Sequence, residues 1–371
     1  MDFAFSDEQQ MLRESTRRFI AERCGFEQRQ RIRASDAGWS RDVWSQLAEL
    51  GLLAIAIPEA HGGLDVGAVG TMLVANAVGE GLLLEPFWAS AVLATRVLVE
   101  LGDEAQRARW LPALAAGDIV AVLAHDEDGD GATATPRRTT AARSGDGWQL
   151  DGAKALVYHA PAADLLLVSA NAEGATAVFV VPADATGLTL RAYRSVDDQC
   201  AADVALDGVI VPADARLSGD AAGLQRALDF ALAVLCAEAF GAMDRVLAAT
   251  IEYSRQRVQF GQPIGRLQAL QHRMTEMLMH LEQARSLSYL AATGCTDPDA
   301  DARAATLSAA KALMGQSARY IGQQAVQLHG GMGMTDELAV SHWFKRLLAF
   351  ELRAGTTDAH LARYRQQLRA D

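Results

Sequence analysis

A chain of 371 residues, half of them hydrophobic, can bury a sizeable core without metal or disulfide staples. Its formal net charge of −12 argues against a nucleic-acid or anionic-membrane binder that works through a basic surface. An anionic ligand would have to be held by local arginines or helix N-termini.

The first segment, residues 1–117, reads as helical. Ser6 is placed to cap a helix with Gln9 at its third position, and Met11, Leu12, Phe19 and Ile20 follow at helical spacing. A second helix through Val43, Leu47 and Leu50 ends at Gly51, and LLAIAIPEAHGG leaves helix at Pro58 and turns at Gly62-Gly63. Further helical stretches are expected over 68–83, 86–101 and 103–115. Residues 118–218 change character, with β-type runs DIVAVLAH, WQLDGAKALVYH, DLLLVSA, TAVFVVP and CAADVALDGVIV between turn-rich pieces. This spacing predicts an antiparallel sandwich or barrel. Residues 219–371 return to helix, with long runs over 222–256 and 301–329, the latter stopped by Gly330-Gly331. Long helices of this kind pack as a bundle.

Four scattered cysteines (Cys24, Cys200, Cys236 and Cys295) show no Cys-x-x-Cys spacing, and His125, His159, His329 and His360 are too dispersed for a metal set, so no metal is expected. No apolar run reaches the roughly 20 residues of a membrane span. The opening MDFAFSDEQQMLRE carries charges where a secretory signal needs an apolar core. A reducing, cytoplasmic setting is the expectation.

Two fragments carry chemistry. In RQRVQFGQPIGRLQALQHRMTEM, residues 255–277, Arg255 and Arg257 precede Phe260-Gly261, and Pro263 and Gly265 turn the chain into a helix bearing Gln268, Gln271 and His272. Arginines beside a tight turn and a helix start can hold a phosphate, though from the residues alone an ordinary interhelical turn with solvated arginines is the better reading. In QLHGGMGMT, residues 327–335, two glycines permit close approach of backbone to a ligand, and they also make a helix C-cap.

Taken together, with their order and spacing, these fragments resemble the two C-terminal signatures of acyl-CoA dehydrogenases. FSDEQQMLRESTRRFIAER and WSQLAELGLLAIAIPEAHGG resemble the same family, so the likeness covers essentially the whole chain. CAEAFGAMD, GQQAVQLHGGMGMT and HWFKRL are similar to the small subunits of heteromeric members, such as those of pimeloyl-CoA dehydrogenase and steroid side-chain dehydrogenases. The resemblance implies an α+β fold: a helical N-terminal domain (1–117), a middle β-barrel domain (118–218) and a C-terminal four-helix bundle (219–371). It implies FAD as cofactor, an acyl-CoA thioester as substrate, α,β-desaturation as reaction and an electron-transfer flavoprotein as acceptor. It also implies that Arg257, Phe260, Gln268, Gln327, Gly330 and Gly331 meet the pyrophosphate and adenosine half of FAD.

On the catalytic side the pattern fails. The glutamate that the family places before Gly-Thr is Ala354 here, and the alternative position on the preceding long helix is Ala231. No catalytic residue is therefore assigned. The family's flavin-ring loop reads DEDGDGA, residues 126–132, with Asp126 and Ala132 at polar contact positions, and the next strand offers Leu156-Val157-Tyr158. The acidic run of Asp126, Glu127, Asp128 and Asp130 is expected to be a solvated loop. Three readings stay open. The chain is a base-lacking small subunit that completes the FAD site of a homologous catalytic subunit in an α2β2 complex, or an autonomous enzyme with a relocated base, or a structural partner without FAD. Glu238 is the first candidate for a relocated base, with Glu351 and Asp358 behind it.

Overall fold

The structure, a computed structural model, describes residues 5–128 and 138–367. Asp130 and Ala132 of the acidic loop lie outside the described residues.

The helical segments start and stop where local chemistry dictates. Helix α1 (Asp7–Arg23) opens with the expected capping box, Ser6 and Gln9 each accepting the other's backbone N–H. Helices α2 (Phe26–Ala34) and α3 (Arg41–Glu49) follow, and Gly51, at φ 72°, turns the chain after α3. Helix α4 (Gly67–Gly81) is buried along most of its length. A π-helical stretch, Phe87–Ala94, runs into α5 (Thr95–Leu101), and Asp103 caps α6 (Glu104–Ala115). Among the described residues seven strands come next: β1 (Ala121–Ala124), β2 (Thr140–Ser144), β3 (Gly147–Tyr158), β4 (Leu165–Ala172), β5 (Ala175–Pro182), β6 (Leu188–Arg194) and β7 (Cys200–Pro212). The remainder is α7 (Ala221–Gln256), a short hairpin of β8 (Val258–Gln259) and β9 (Gln262–Pro263), then α8 (Gln268–Gly294), α9 (Ala300–His329), α10 (Ala339–Leu352) and α11 (Thr357–Gln367). No described helix is long and apolar enough to cross a membrane.

The chain forms two compact units. One gathers Met1–Arg29, Ala68–Leu83 and Leu232–Asp371. Within it α4 and α7 cross backbone to backbone. A Cβ on Gly79 would lie 1.9 Å from the Glu238 carbonyl oxygen, and one on Gly241 would lie 1.9 Å from that of Asn76. Only glycine permits this approach. Around it pack the buried Phe240, Met243, Val246, Met277, Leu281, Leu307, Ile321 and Leu347, the core of the C-terminal bundle.

The other unit, Gln30–Gly67 and Leu84–Ala231, carries the sheet, ordered β1-β4-β2-β3-β7-β6 with β5 also paired to β4. Trp148 and Phe179 meet edge to face at its core, ring centroids 5.3 Å apart. The expectation of a wholly antiparallel sheet is corrected at β4, which runs parallel to β1 and to β2. The β2–β3 hairpin is inserted between β1 and β4, and a connection of that length allows parallel pairing.

Candidate functional site

At the end of α7 the chain makes the β8–β9 hairpin, whose two central residues, Phe260 and Gly261, have φ 52° and 77°. Positive φ at both positions is the type I′ turn, which suits strand twist and ordinarily takes Asn-Gly. A phenylalanine there costs about 1–2 kcal/mol in backbone strain. Phe260 is also 90% exposed, so the chain recovers nothing from its ring. Strain and exposure at one residue point to a duty outside this chain. Phe260→Asn should therefore raise stability to urea by about 1 kcal/mol while weakening whatever the ring contacts. An unchanged or lower midpoint would show the turn to be unstrained.

The hairpin is tied to the ends of two other helices. Gln271 Nε2 donates to the Gly265 carbonyl at 2.9 Å, anchoring the start of α8. Tyr253 stacks on His329 with centroids 4.2 Å apart, and Arg273 Nη1 donates to Gln324 Oε1 at 3.1 Å, so the end of α9 lies alongside. Burial pushes His329 below the ordinary histidine range, and the ring stays neutral. Arg257, Phe260, Gln268, Gln327, Gly330 and Gly331 are thereby gathered at one end of this unit, all exposed. Among the described residues the side chains of Arg257, Gln268 and Gln327 have no partner. Gly330 sits at φ 62°, and a Cβ on it or on Gly331 would meet nothing within 4 Å. One guanidinium and two carboxamides beside open backbone suit a diphosphate ester.

The candidate base positions are bare. Ala354, at φ 52°, gives its carbonyl to His360 Nε2 at 2.8 Å, and the buried Ala231 gives its carbonyl to Trp88 Nε1 at 2.8 Å. The substitute carboxylates are committed elsewhere. Glu238 Oε1 accepts from Arg346 Nη1 at 2.6 Å, both side chains nearly out of solvent, while Arg346 Nη2 donates to the Leu83 carbonyl at 2.9 Å. Glu351 accepts from the Thr357 backbone N–H at 3.0 Å and hydroxyl at 2.7 Å, holding the start of α11. Asp358 is exposed in the first turn of α11.

In the other unit, the expected solvated acidic run is corrected at Glu127. Its carboxylate is buried and accepts from Lys154 Nζ at 2.9 Å, from the Thr139 N–H at 2.9 Å and from the Arg138 N–H at 2.8 Å. Burial alone would raise this carboxyl, but the bonds from Thr139 and Lys154 override it and bring it down to about 2. Lys154 also donates to the His125 carbonyl at 3.1 Å and to Ser169 Oγ at 3.3 Å, so the ammonium is fully used. Asp126 and Asp128 are exposed, as expected. Beyond Lys154 the β3–β7 register shifts, a bulge that turns Leu156 outward at φ 51° and 37% exposure. Its N–H is held by Asp203 Oδ1 at 3.1 Å, which also accepts from the Tyr193 hydroxyl at 2.8 Å. Leu156, Val157 and Tyr158 thus stand where the resemblance implies an aromatic residue, an isoleucine and a Ser or Thr beside the ring.

Residues 6–118, 123–209 and 222–368 match the N-terminal, middle and C-terminal domains of acyl-CoA dehydrogenase. L-prolyl-[peptidyl-carrier protein] dehydrogenase of Pseudomonas fluorescens is 30% identical over 96% of this chain and 97% of its own length. The chain belongs to the acyl-CoA dehydrogenase family. Acyl-CoA dehydrogenase FadE27 of Mycobacterium tuberculosis is 28% identical, covering 99% of both chains. Among solved structures, the ChsE4-ChsE5 complex from Mycobacterium tuberculosis superposes with TM-score 0.92 at 26% identity over 100% of both chains. A variant of the Tcur3481-Tcur3483 steroid ACAD gives TM-score 0.91 at 28% identity over 98% of both. Members of this family are FAD-dependent oxidoreductases that act on CH–CH bonds. The hairpin end of this chain offers groups that fit the diphosphate of FAD. At the β3 bulge Leu156 replaces the aromatic and Tyr158 the Ser or Thr that the resemblance implies beside the ring.

Proposed function

We propose that this chain is the small, base-lacking subunit of a heteromeric acyl-CoA dehydrogenase, and that it completes an FAD site whose base and ring contacts come from a homologous catalytic subunit in an α2β2 assembly. One observation carries the reading: alanine occupies both base positions, while the first candidate replacement, Glu238, is paired with Arg346 inside the helical unit. A retained half-site at Arg257, Gln268 and Gln327 argues against a purely structural role, because three exposed polar groups without partners among the described residues serve no packing purpose. The resemblance to two-component complexes supports the same reading.

In this arrangement Arg257 pairs with pyrophosphate oxygens, Phe260 covers the nucleotide, and Gln268, Gln327 and the Gly330-Gly331 backbone approach the adenosine half. When bound, FAD supplies the acceptor for the β-hydride of the acyl-CoA thioester. The α-proton is taken by the partner's carboxylate. An electron-transfer flavoprotein is the acceptor we expect, and the cytoplasm the compartment. Bulky thioesters, including steroid side chains, head the substrate panel.

The isolated chain is expected to show no dye-linked acyl-CoA oxidation, and the reconstituted complex to hold fewer than one FAD per chain by absorbance. Turnover by the chain alone, lost in Glu238→Gln, would overturn the assignment, as would one FAD for every chain. A prolyl thioester on a carrier protein belongs in the same panel, given the Pseudomonas relative. Arg257→Ala should weaken FAD binding to the complex by about 10- to 150-fold, the worth of one charge-assisted contact. Arg257→Lys should recover part of it, since an ammonium lacks the planar fork. Isothermal titration of FAD into the apo-complex reads both, and unchanged affinity in Arg257→Ala would remove the contribution of this subunit at its most specific residue.

A further inference from the structure

The glycine turn that ends α9 is fastened along its length. Its 3₁₀ stretch, Gly330–Met334, seats on α9 through the buried Gly333, where a Cβ would fall 2.7 Å from the Val326 carbonyl oxygen. Thr335 then closes the stretch, donating to the Met332 carbonyl from its backbone N–H at 3.2 Å and from its hydroxyl at 2.9 Å. The next residue, Asp336, is held twice from α10. Its carbonyl accepts from His342 Nε2 at 3.1 Å, and its carboxylate accepts from Lys345 Nζ at 2.7 Å. Upstream of these holds, a Cβ on Gly330 or Gly331 would meet nothing, so their backbone stays open.

What stands behind His342 decides how it can act. The ring is wholly buried, with Phe26 edge-on at 5.1 Å between centroids. Arg29, also buried, places Nη1 2.9 Å from His342 Nδ1 and donates through Nε to the Leu82 carbonyl at 3.1 Å. A guanidinium carries donors only, so Nδ1 must accept. The ring proton is thereby placed on Nε2, the nitrogen that faces the Asp336 carbonyl. Arg29, His342 and the glycine turn all belong to the helical unit.

We propose that His342 is a positioning residue for the nucleotide site: with its tautomer set by Arg29, it holds Asp336 alongside Lys345 and so fixes the turn that presents the Gly330-Gly331 backbone to FAD. The inference rests on the reading that this end of the unit meets the adenosine half of FAD.

Two variants separate positioning from packing. His342→Asn offers an oxygen where Nδ1 stands, which keeps an acceptor for Arg29 and removes the donor to Asp336. His342→Gln offers an amide N–H where Nε2 stands, which keeps the donor and removes the acceptor. Each loses one buried bond, so their urea midpoints should fall together. FAD affinity, read by isothermal titration into the apo-complex, should fall only in His342→Asn, by roughly 2- to 10-fold, the worth of one neutral hydrogen bond. Hydrogen exchange over residues 330–338 should quicken in that variant and stay near the parent in His342→Gln. Equal losses of affinity in the two variants overturn the inference, as does unchanged affinity in His342→Asn. Arg257→Ala, run alongside, tells the failures apart. An effect there with none in His342→Asn overturns the positioning role alone, and no effect in either removes the site on which that role rests. If His342→Asn does not fold, Lys345→Met takes its place, since it removes the other hold on Asp336 from a partly exposed position. Affinity should then fall about 2- to 5-fold, and an unchanged value overturns the inference.

Discussion

Arg346→Met should lower the stability of this chain by about 3–5 kcal/mol, the range for stranding one partner of a buried ion pair. The Glu238 carboxylate meets Arg346 at 2.6 Å, and both side chains are nearly sealed from water. Methionine keeps the volume and removes the charge, which leaves a carboxylate in an apolar interior. The Leu83 carbonyl loses its donor at the same time. The double variant Glu238→Gln/Arg346→Met should recover much of the loss, because a buried pair replaced as a whole is often close to neutral. Urea denaturation of the four proteins forms the cycle. A loss below about 1 kcal/mol in Arg346→Met, the ceiling for a surface pair, would show the pair to be solvated. Glu238 would then return as a candidate base.

Acid should destabilise the two units in sequence. His360 is buried and donates through Nε2 to the Ala354 carbonyl, and burial pushes it down to about 4. Between pH 6.5 and 4 the unfolded chain binds a proton that the folded chain refuses. Stability falls through that window by on the order of 3 kcal/mol and no further below it, since both states are then protonated. Glu127 acts later. Its carboxyl sits at about 2 when folded, so its contribution is full above pH 4.5 and drains away as pH falls toward 2. His360→Phe should flatten the upper part of the stability profile, whatever it does to absolute stability, and leave the lower part alone. A parent profile that is flat between pH 6.5 and 4 would contradict the buried neutral imidazole.

The helices were legible because their ends are local. Ser6 with Gln9, and Gly330 at the close of α9, are decided within four residues of sequence. Two strands were not legible. β6 is largely exposed on both faces and β2 on most of its length, so neither shows an apolar alternation to read. Buried charge escaped notice for a different reason. Lys154 and Lys311 are both sealed inside, yet lysine ordinarily signals surface, and their partners lie 27 and 44 residues away in the chain. Glu127 was misplaced in solvent on the same ground. Motif spacing located Arg257, Phe260, Gln268 and Gln327, and folding brought them to one end of a unit. The type I′ geometry at Phe260 could not be read, because the turn ordinarily announces itself with asparagine.

That turn bears on descent as well as on chemistry. Any mutation that relaxes codon 260 toward asparagine or glycine would lighten a strained, solvent-facing ring, and proteins held near a stability threshold tolerate such changes readily. In a lineage where the tip met nothing outside the chain, drift would erase the aromatic early, ahead of well-packed core positions such as Met243 or Ile321. The ring at the tip is thus a cost that the fold of this chain does not itself require.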